Sequence, residues 1–456
     1  MDNFDALIIG TGTAGQTAAY ELAAEGYRVA IAESSSTPGG VCALHGCQAK
    51  KWFYETMEIV ARSKHLLNKG ITALPRTSWE QILVEKNNFT EKVPDGTIRG
   101  LKGHGITYLP GSARFADPHT VEVDGQGIRA GYFVIATGAK PRDLGIEGAE
   151  LISTSNDFLQ LERLPSRIGF IGGGFISFEF AHFAAHLGDP GIKIDILEAS
   201  DRPLGPFDAD MVEQLVQASV AEGIAIDTGV SLSALERTAS GIVIHRKNGD
   251  DIEVDLVLNG AGRQADIASL GLDGAGVQHS SRGIAVNSSM QSSAAHIFAV
   301  GDCAATLQLA RVADMEAKTA AAAISALKDG EPLPQIDYSA APAVLFTYPQ
   351  LGMLGKTEQQ LIDEDITYWK SYGTNLSWPT YRRVGLKFAA YKILVDRNDL
   401  ILGAHVLSDN ATGLLNTFKQ AMIDQMPVTE LHRNNIMTPY PSRESDIIYM
   451  LSDFIE

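Results

Sequence analysis

A short apolar run that ends in spaced glycines and passes straight into a helix restricts a fold severely, and this chain contains that arrangement twice. Phe4 to Ile9 leads into Gly10-Thr11-Gly12-Thr13-Ala14-Gly15, and Gln16 to Glu25 reads as a helix closed by Gly26. Arg28 to Ala32 is a second apolar strand, with Glu33 at its end. Such short, wholly apolar strands suit a parallel sheet buried on both faces. The glycines permit a tight turn and let a pyrophosphate approach the helix N-terminus, while Glu33 can accept from a ribose hydroxyl. A glycine pattern alone also arises for packing reasons. Strand, helix and acid in sequence point to a dinucleotide site at Gly10, Gly12, Gly15 and Glu33.

The second copy lies about 160 residues further on. Ile168 to Ile171 runs into Gly172-Gly173-Gly174-Phe175-Ile176-Ser177, a helix continues through Leu187, and the strand Lys193 to Leu197 ends at Glu198. Ser177 takes the place of the third glycine, which governs helix–strand packing, so a small residue there is a mild departure. Glu198 can bond a ribose 2′-hydroxyl and would repel a 2′-phosphate; this favours NADH over NADPH, although Arg202 nearby acts the other way. A repeated nucleotide-binding unit in a chain of 456 residues implies several domains.

Between the two units lies Cys42-Ala43-Leu44-His45-Gly46-Cys47, holding two of only three cysteines. The pair can be read as two buried thiols, as a metal site completed by His45, or as a reversible disulfide. Structural metal sites need a second ligand pair, which this cysteine-poor chain lacks. Gln48 to Ala61 reads as a helix, so Cys47 stands near its N-terminus with Lys50 and Lys51 close by. Both features stabilise a thiolate, the form that attacks disulfides. A reversible disulfide therefore fits best. His45 reads as a packed or solvent-facing histidine, with tuning of the thiolates as the alternative. Cys303 reads as a small buried residue.

A formal charge of −18 argues against a nucleic-acid or anionic-membrane surface. No apolar run approaches the roughly 18 to 20 residues of a membrane helix, and Met1-Asp2-Asn3-Phe4-Asp5 lacks the basic start of a signal peptide. With a close cysteine pair and no disulfide framework, a cytoplasmic protein is expected.

Gly39-Gly40-Val41-Cys42, four intervening residues, Cys47 and the following lysines resemble the class I pyridine nucleotide-disulfide oxidoreductases. That family includes glutathione reductase, dihydrolipoyl dehydrogenase and mercuric reductase, and it carries G-G-x-C-x4-C at this distance from the first glycine motif. The resemblance implies FAD in the first nucleotide site, Cys47 facing the flavin, Cys42 exchanging with substrate, and Lys50 or Lys51 ion-paired beside the flavin. Val41 departs from the family's usual threonine. Further segments match in order. Tyr132 to Gly138, ending Ala136-Thr137-Gly138, resembles the turn that closes the first flavin segment. Glu179 matches the glutamate that meets the flavin-side lysine, where the bland reading is a solvated carboxylate. Phe175 matches the aromatic residue over the empty nicotinamide pocket, although a packed aromatic fits as well. Leu256 to Arg263 resembles the edge of the nicotinamide domain, with Arg263 near the cofactor phosphates. His296 to Asp302 places Asp302 on the flavin's ribityl chain.

The resemblance implies an α/β chain: two Rossmann-like nucleotide-binding domains, for FAD and NAD, and a C-terminal α+β dimerisation domain. The expected bounds are 1–150 and 276–335 for FAD, 151–275 for NAD(P) and 336–456 for the interface of a homodimer. In the last part Ala343 to Phe346, Lys387 to Val395 and Leu400 to Val406 read as strands, and Ala411 to Asp424 as a helix. There the family supplies a His-Pro-Thr-x-x-Glu acid–base motif from the partner subunit. This chain has Tyr440-Pro441-Ser442-Arg443-Glu444-Ser445, with tyrosine for the histidine and Ser445 for the glutamate. A tyrosine with a pKa near 10 is a poor base at neutral pH but can donate a proton; Glu444, His432 and His45 are the other candidates.

The expected function is an FAD-dependent NADH:disulfide oxidoreductase acting on a small or carrier-bound disulfide through Cys42 and Cys47. Dihydrolipoyl dehydrogenase is the first alternative. A mercuric or other metal-ion reductase is the next, without mercuric reductase's paired C-terminal cysteines, since the chain ends Ser452-Asp453-Phe454-Ile455-Glu456. A flavin-bound redox sensor with little turnover and a structural zinc module are the readings from other classes.

Overall fold

The computed structural model describes residues 2–455; Met1 and Glu456, which bound the first and last expected domains, lie outside them. Two compact units divide the chain: Met1–Trp52, Leu83–Arg142 and Gly262–Tyr338 form one, and Phe53–Ile82, Asp143–Ala261 and Ser339–Glu456 the other.

In the first unit Asp2–Ile9 lies parallel to Val29–Glu33 on one side and Gln126–Ile135 on the other, with Thr107–Pro110 and Ile297–Ala299 extending the parallel set. Antiparallel Thr120–Val123 and Ala113–Asp117 complete the sheet. Alternate residues serve opposite faces: Ala6 and Ile8 pack under the helices Thr13–Ala24 and Ala310–Asp329, while Leu7 and Ile9 join Phe115 and Phe133 on the other side. Register fixes the functional edge. Ile9 pairs with Ala32 and Ile135, and Ile135 pairs with Ala299. Gly10, Glu33, Thr137 and Asp302 therefore gather at one carboxyl edge, where open α/β sheets hold ligands.

The second unit repeats the plan. Arg167–Ile171 runs parallel between Lys193–Leu197 and Leu256–Asn259, with Ile171 paired to Leu197 and Asn259. The helix Phe175–Leu187 is apolar nearly all round and correspondingly buried. Its Phe180 stacks on Phe158 at 4.6 Å between centroids. Leu232–Arg237, Ile242–Arg246 and Ile252–Val254 form a small antiparallel sheet. The last part of the chain is an antiparallel sheet in the order Ala343–Leu345, Gln350–Gly355, Ile401–Ser408, Ala390–Val395, Trp369–Gly373, with the helix Ala411–Ile423 against it.

One buried group ties this unit's stability to pH. His182 Nδ1 accepts from the Tyr348 N–H at 3.3 Å, which leaves Nε2–H to donate to Ser219 Oγ at 2.9 Å. Burial pulls its pKa down to about 3. The unfolded imidazole, near 6.5, binds a proton first, so stability is intact above pH 6.5 and declines from there towards pH 3. Below pH 6 the urea stability is expected to fall by about 1.4 kcal/mol per pH unit more in the wild type than in His182→Gln.

Candidate functional site

The short helix Gly40–Leu44 carries Cys42, and the helix Cys47–Leu66 opens on Cys47. Gly39 and Gly40 take φ values of 133° and 76°, and a Cβ on Gly40 would stand 2.3 Å from Gly12 Cα. Glycine alone lets the cysteine segment lie against the first glycine loop, and the Gly39 N–H donates to Thr11 Oγ1 at 3.0 Å.

Cys42 is half-buried, Cys47 is exposed, and the two are thiols hydrogen-bonded to each other. That bond, then burial, then the charge of Cys47 push the Cys42 thiol up. The proton they share therefore stays on Cys42, and negative charge falls on Cys47 at the head of its helix. The Thr13 hydroxyl bonds the Cys42 sulfur and pulls the other way. Lys50 and Lys51 follow Cys47 at the start of the same helix. His45 Nδ1 is buried without a hydrogen-bond partner, and burial, reinforced by the Lys86 ammonium, keeps the imidazole below its ordinary pKa. Among the described residues, no group of three or more His, Cys, Asp or Glu could hold a metal ion.

The two nucleotide-binding units share a device that sequence reasoning missed. Glu33 accepts from the Thr11 N–H at 2.9 Å and the Ser35 N–H at 2.8 Å. Glu198 accepts from the Gly173 N–H at 2.5 Å and the Ser200 N–H at 2.7 Å. Each acid thus braces its own glycine loop as well as standing at its strand end. The helices that follow, Thr13–Ala24 and Phe175–Leu187, are preceded by Gly12 and Gly174 in extended backbone, N-cap positions that offer no side-chain cap. A Cβ on Gly15 would lie 1.9 Å from Gly10 O, and one on Gly172 2.4 Å from Ala261 Cα. These are the cradles that a dinucleotide pyrophosphate fits. At the third glycine position of the second unit, Ser177 Oγ donates to Gly172 O at 2.5 Å.

Asp302 lies in the turn Gly301–Cys303, where burial pushes its carboxyl up and Arg263 pulls it down. Arg263 also donates to Ala139 O from the strand Arg263–Ala265, which pairs with Ala139–Pro141. The structure thus groups Arg263 in the first unit with Asp302, Thr137 and Gly138, and not in the second with Gly172 and Glu198. Gly138 has φ of 69° and accepts from the Asp266 N–H at 3.0 Å. Cys303 is buried.

In the second unit, Glu179 is 1% exposed and accepts from the Phe346 N–H at 3.0 Å, so it is not a solvated carboxylate. Phe175 opens the same helix and is exposed. Arg202 donates to Phe207 O at 3.1 Å and Gly205 O at 2.9 Å. Tyr440 is exposed. Ser445 is buried and exchanges hydrogen bonds with Ser442, and Glu444 accepts from Asn410 Nδ2 at 2.7 Å. His432 is half-buried in the last turn of Val428–Asn435.

Comparison with known proteins places this geometry. The model of the pyridine nucleotide-disulphide oxidoreductase family matches residues 4–317, and that of the family's dimerisation domain matches 341–446. The dihydrolipoyl dehydrogenase of Chlamydia pneumoniae is 30% identical over 436 residues, 93% of this chain and 91% of its own. The HOCl-induced flavoprotein disulfide reductase RclA of Escherichia coli superposes with a TM-score of 0.86 at 26% identity, over 98% of this chain and 99% of its own. A Cu(II) complex of RclA superposes with a TM-score of 0.87 at 25% identity, over 99% of both chains.

Proposed function

Because the chain belongs to the pyridine nucleotide-disulphide oxidoreductase family, we propose that it passes two electrons from NADH through FAD to Cys42 and Cys47, and from them to a disulfide. It is a flavin-dependent disulfide oxidoreductase that takes a pyridine nucleotide and carries a dimerisation domain. The observation that carries the proposal is the hydrogen-bonded pair Cys42 and Cys47 against the first glycine loop, with Cys47 heading a helix.

Bound FAD supplies hydride acceptance from the nicotinamide and delivery of the electron pair to sulfur. Gly10, Gly12, Gly15, Glu33, Thr137, Gly138 and Asp302 hold it, and Gly172, Gly174 and Glu198 hold the NADH. Cys42 attacks the substrate sulfur, and Cys47 then resolves the mixed disulfide. NADH is favoured over NADPH because Glu198 faces the ribose position and Arg202 is engaged by backbone carbonyls. The roles expected of Lys50, Lys51, Phe175, Glu179 and Arg263 are proposed with it. So are a homodimer, a cytoplasmic location and Tyr440 as proton donor to the departing thiolate. An oxidised metal ion is a second acceptor class, favoured by the Cu(II) complex of RclA.

An anaerobic NADH titration tests the proposal. A broad long-wavelength absorbance, from the thiolate against the flavin, is expected after two electrons per protomer. Complete bleaching without that band overturns the dithiol assignment. The kcat/KM for NADPH is expected at least about tenfold below that for NADH, a difference of roughly 1.4 kcal/mol in transition-state binding.

A further inference from the structure

The N-terminus of the helix Thr13–Ala24 has the cysteine segment and the helix Ala310–Asp329 as neighbours. Gly12 is close to Gly40, and Ala14 and Ala313 lie 3.3 and 3.4 Å from the Cβ position of Gly301. Thr13 and Thr17, four residues apart, share a face of the first helix. The Thr13 hydroxyl bonds the Cys42 sulfur, and the Thr17 hydroxyl donates to Asp314 Oδ1 at 3.3 Å. Asp314 is only 19% exposed, and its charge acts on the Cys42 thiol. Its countercharge, Arg311, reaches it at 2.9 Å but is 96% exposed, so water screens the cation heavily. The groups that act on Cys42 here are therefore Cys47, the Thr13 hydroxyl and a carboxylate that Thr17 holds and an exposed arginine neutralises only weakly.

We propose that Asp314 selects the charge of the acceptor: Cys42 reduces disulfides that are neutral or cationic beside the S–S bond and disfavours anionic ones. This deepens the disulfide-reductase reading and rests on it. The Cys42 sulfur gives up its proton as it attacks one sulfur of R–S–S–R′, the S–S bond breaks, and R′S⁻ leaves carrying a proton as R′SH. Cys47 thiolate then attacks Cys42 Sγ in the mixed disulfide and releases RS⁻, which is also protonated. The acceptor has gained two electrons, the Cys42–Cys47 disulfide has formed, and NADH reduces it again through the flavin. An acceptor carboxylate must approach Asp314 at the first of these steps, where negative charge also develops on the leaving sulfur. An acceptor ammonium is drawn in instead.

The test uses three disulfides of similar size with the holoenzyme and NADH: cystamine, 2-hydroxyethyl disulfide and 3,3′-dithiodipropionate. The wild-type kcat/KM is expected to be about tenfold or more higher for cystamine than for dithiodipropionate, with the neutral disulfide between them. Asp314→Asn narrows that ratio several-fold, chiefly by raising activity on the anionic substrate, and Arg311→Gln widens it. In the dithiothreitol-reduced holoenzyme, the pH midpoint for iodoacetamide labelling of Cys42 falls in Asp314→Asn. A ratio unmoved in both variants, with an unmoved labelling midpoint, overturns the proposal. Failure of NADH to reduce the thiol pair overturns the disulfide-reductase reading instead, and the labelling arm still reads Asp314 because it needs no turnover.

Discussion

In Cys47→Ser enzyme, NADH will reduce the flavin without raising the long-wavelength band, and disulfide reduction will fall by about 10³-fold or more. The expectation follows from where the shared proton resides. Cys42 holds it against its neighbour, so charge after reduction sits on the exposed sulfur at the head of the Cys47–Leu66 helix. Serine there is no thiolate at neutral pH and cannot resolve a mixed disulfide. Cys42→Ser should lose turnover to the same extent yet keep the band, because the Cys47 thiolate survives. The pair of spectra thus assigns each sulfur separately. Loss of the band in Cys42→Ser alone would reverse the two roles.

The largest expected effect on stability is remote from the thiols. Lys392 lies in the strand Ala390–Val395 with its side chain 2% exposed, and its Nζ lies 2.9 Å from Asp208, 2.6 Å from Asp210 and 2.7 Å from Glu358. Burial works against the ammonium, but the hydrogen bonds it donates to Asp210, Glu358 and Asp208 overcome it and hold the group charged above its ordinary value. Burial likewise opposes the Glu358 carboxylate, yet Lys370, Lys392 and Tyr368 bring its pKa down to about 2. Lys392→Met leaves these carboxylates without their central cation and should destabilise the second unit by about 3–5 kcal/mol, read from the urea midpoint at pH 7. Glu358 is depressed in the fold, so its contribution is present above about pH 4.5 and is lost as pH falls towards 2. The gap between wild type and variant should narrow over that range. An unchanged midpoint at pH 7 would show that the cluster relaxes into water.

What was legible in the sequence was local. Lys193–Leu197 is a strand with the predicted bounds, and both glycine loops join the predicted strands and helices, because apolar run, glycine and acid lie within one short stretch. Reading a strand from Lys387 starts early, since Pro379–Val384 is a helix ending in Gly385 at φ 69°, and pairing begins at Ala390. The helix Trp79–Thr90 escapes notice because its composition is mixed, although Lys86 within it is fully buried. Asp314 and Lys392 draw their meaning from partners far away in the chain, and no spacing rule reaches those. The bracing of the glycine loops by Glu33 and Glu198 lay within reach: an acid at the strand end faces the N–H groups of the preceding loop.

Ser177 carries a consequence for how this protein can change over generations. Its Oγ occupies the space a side chain at Gly260 would need, 1.8 Å from that position's ideal Cβ, while bonding Gly172 O. Any residue larger than glycine at 260 must displace that hydroxyl and with it the bond to the Gly172 carbonyl. Position 260 is therefore not free to drift while serine stands at 177, and descendants that carry a side chain at 260 should carry a smaller residue at 177.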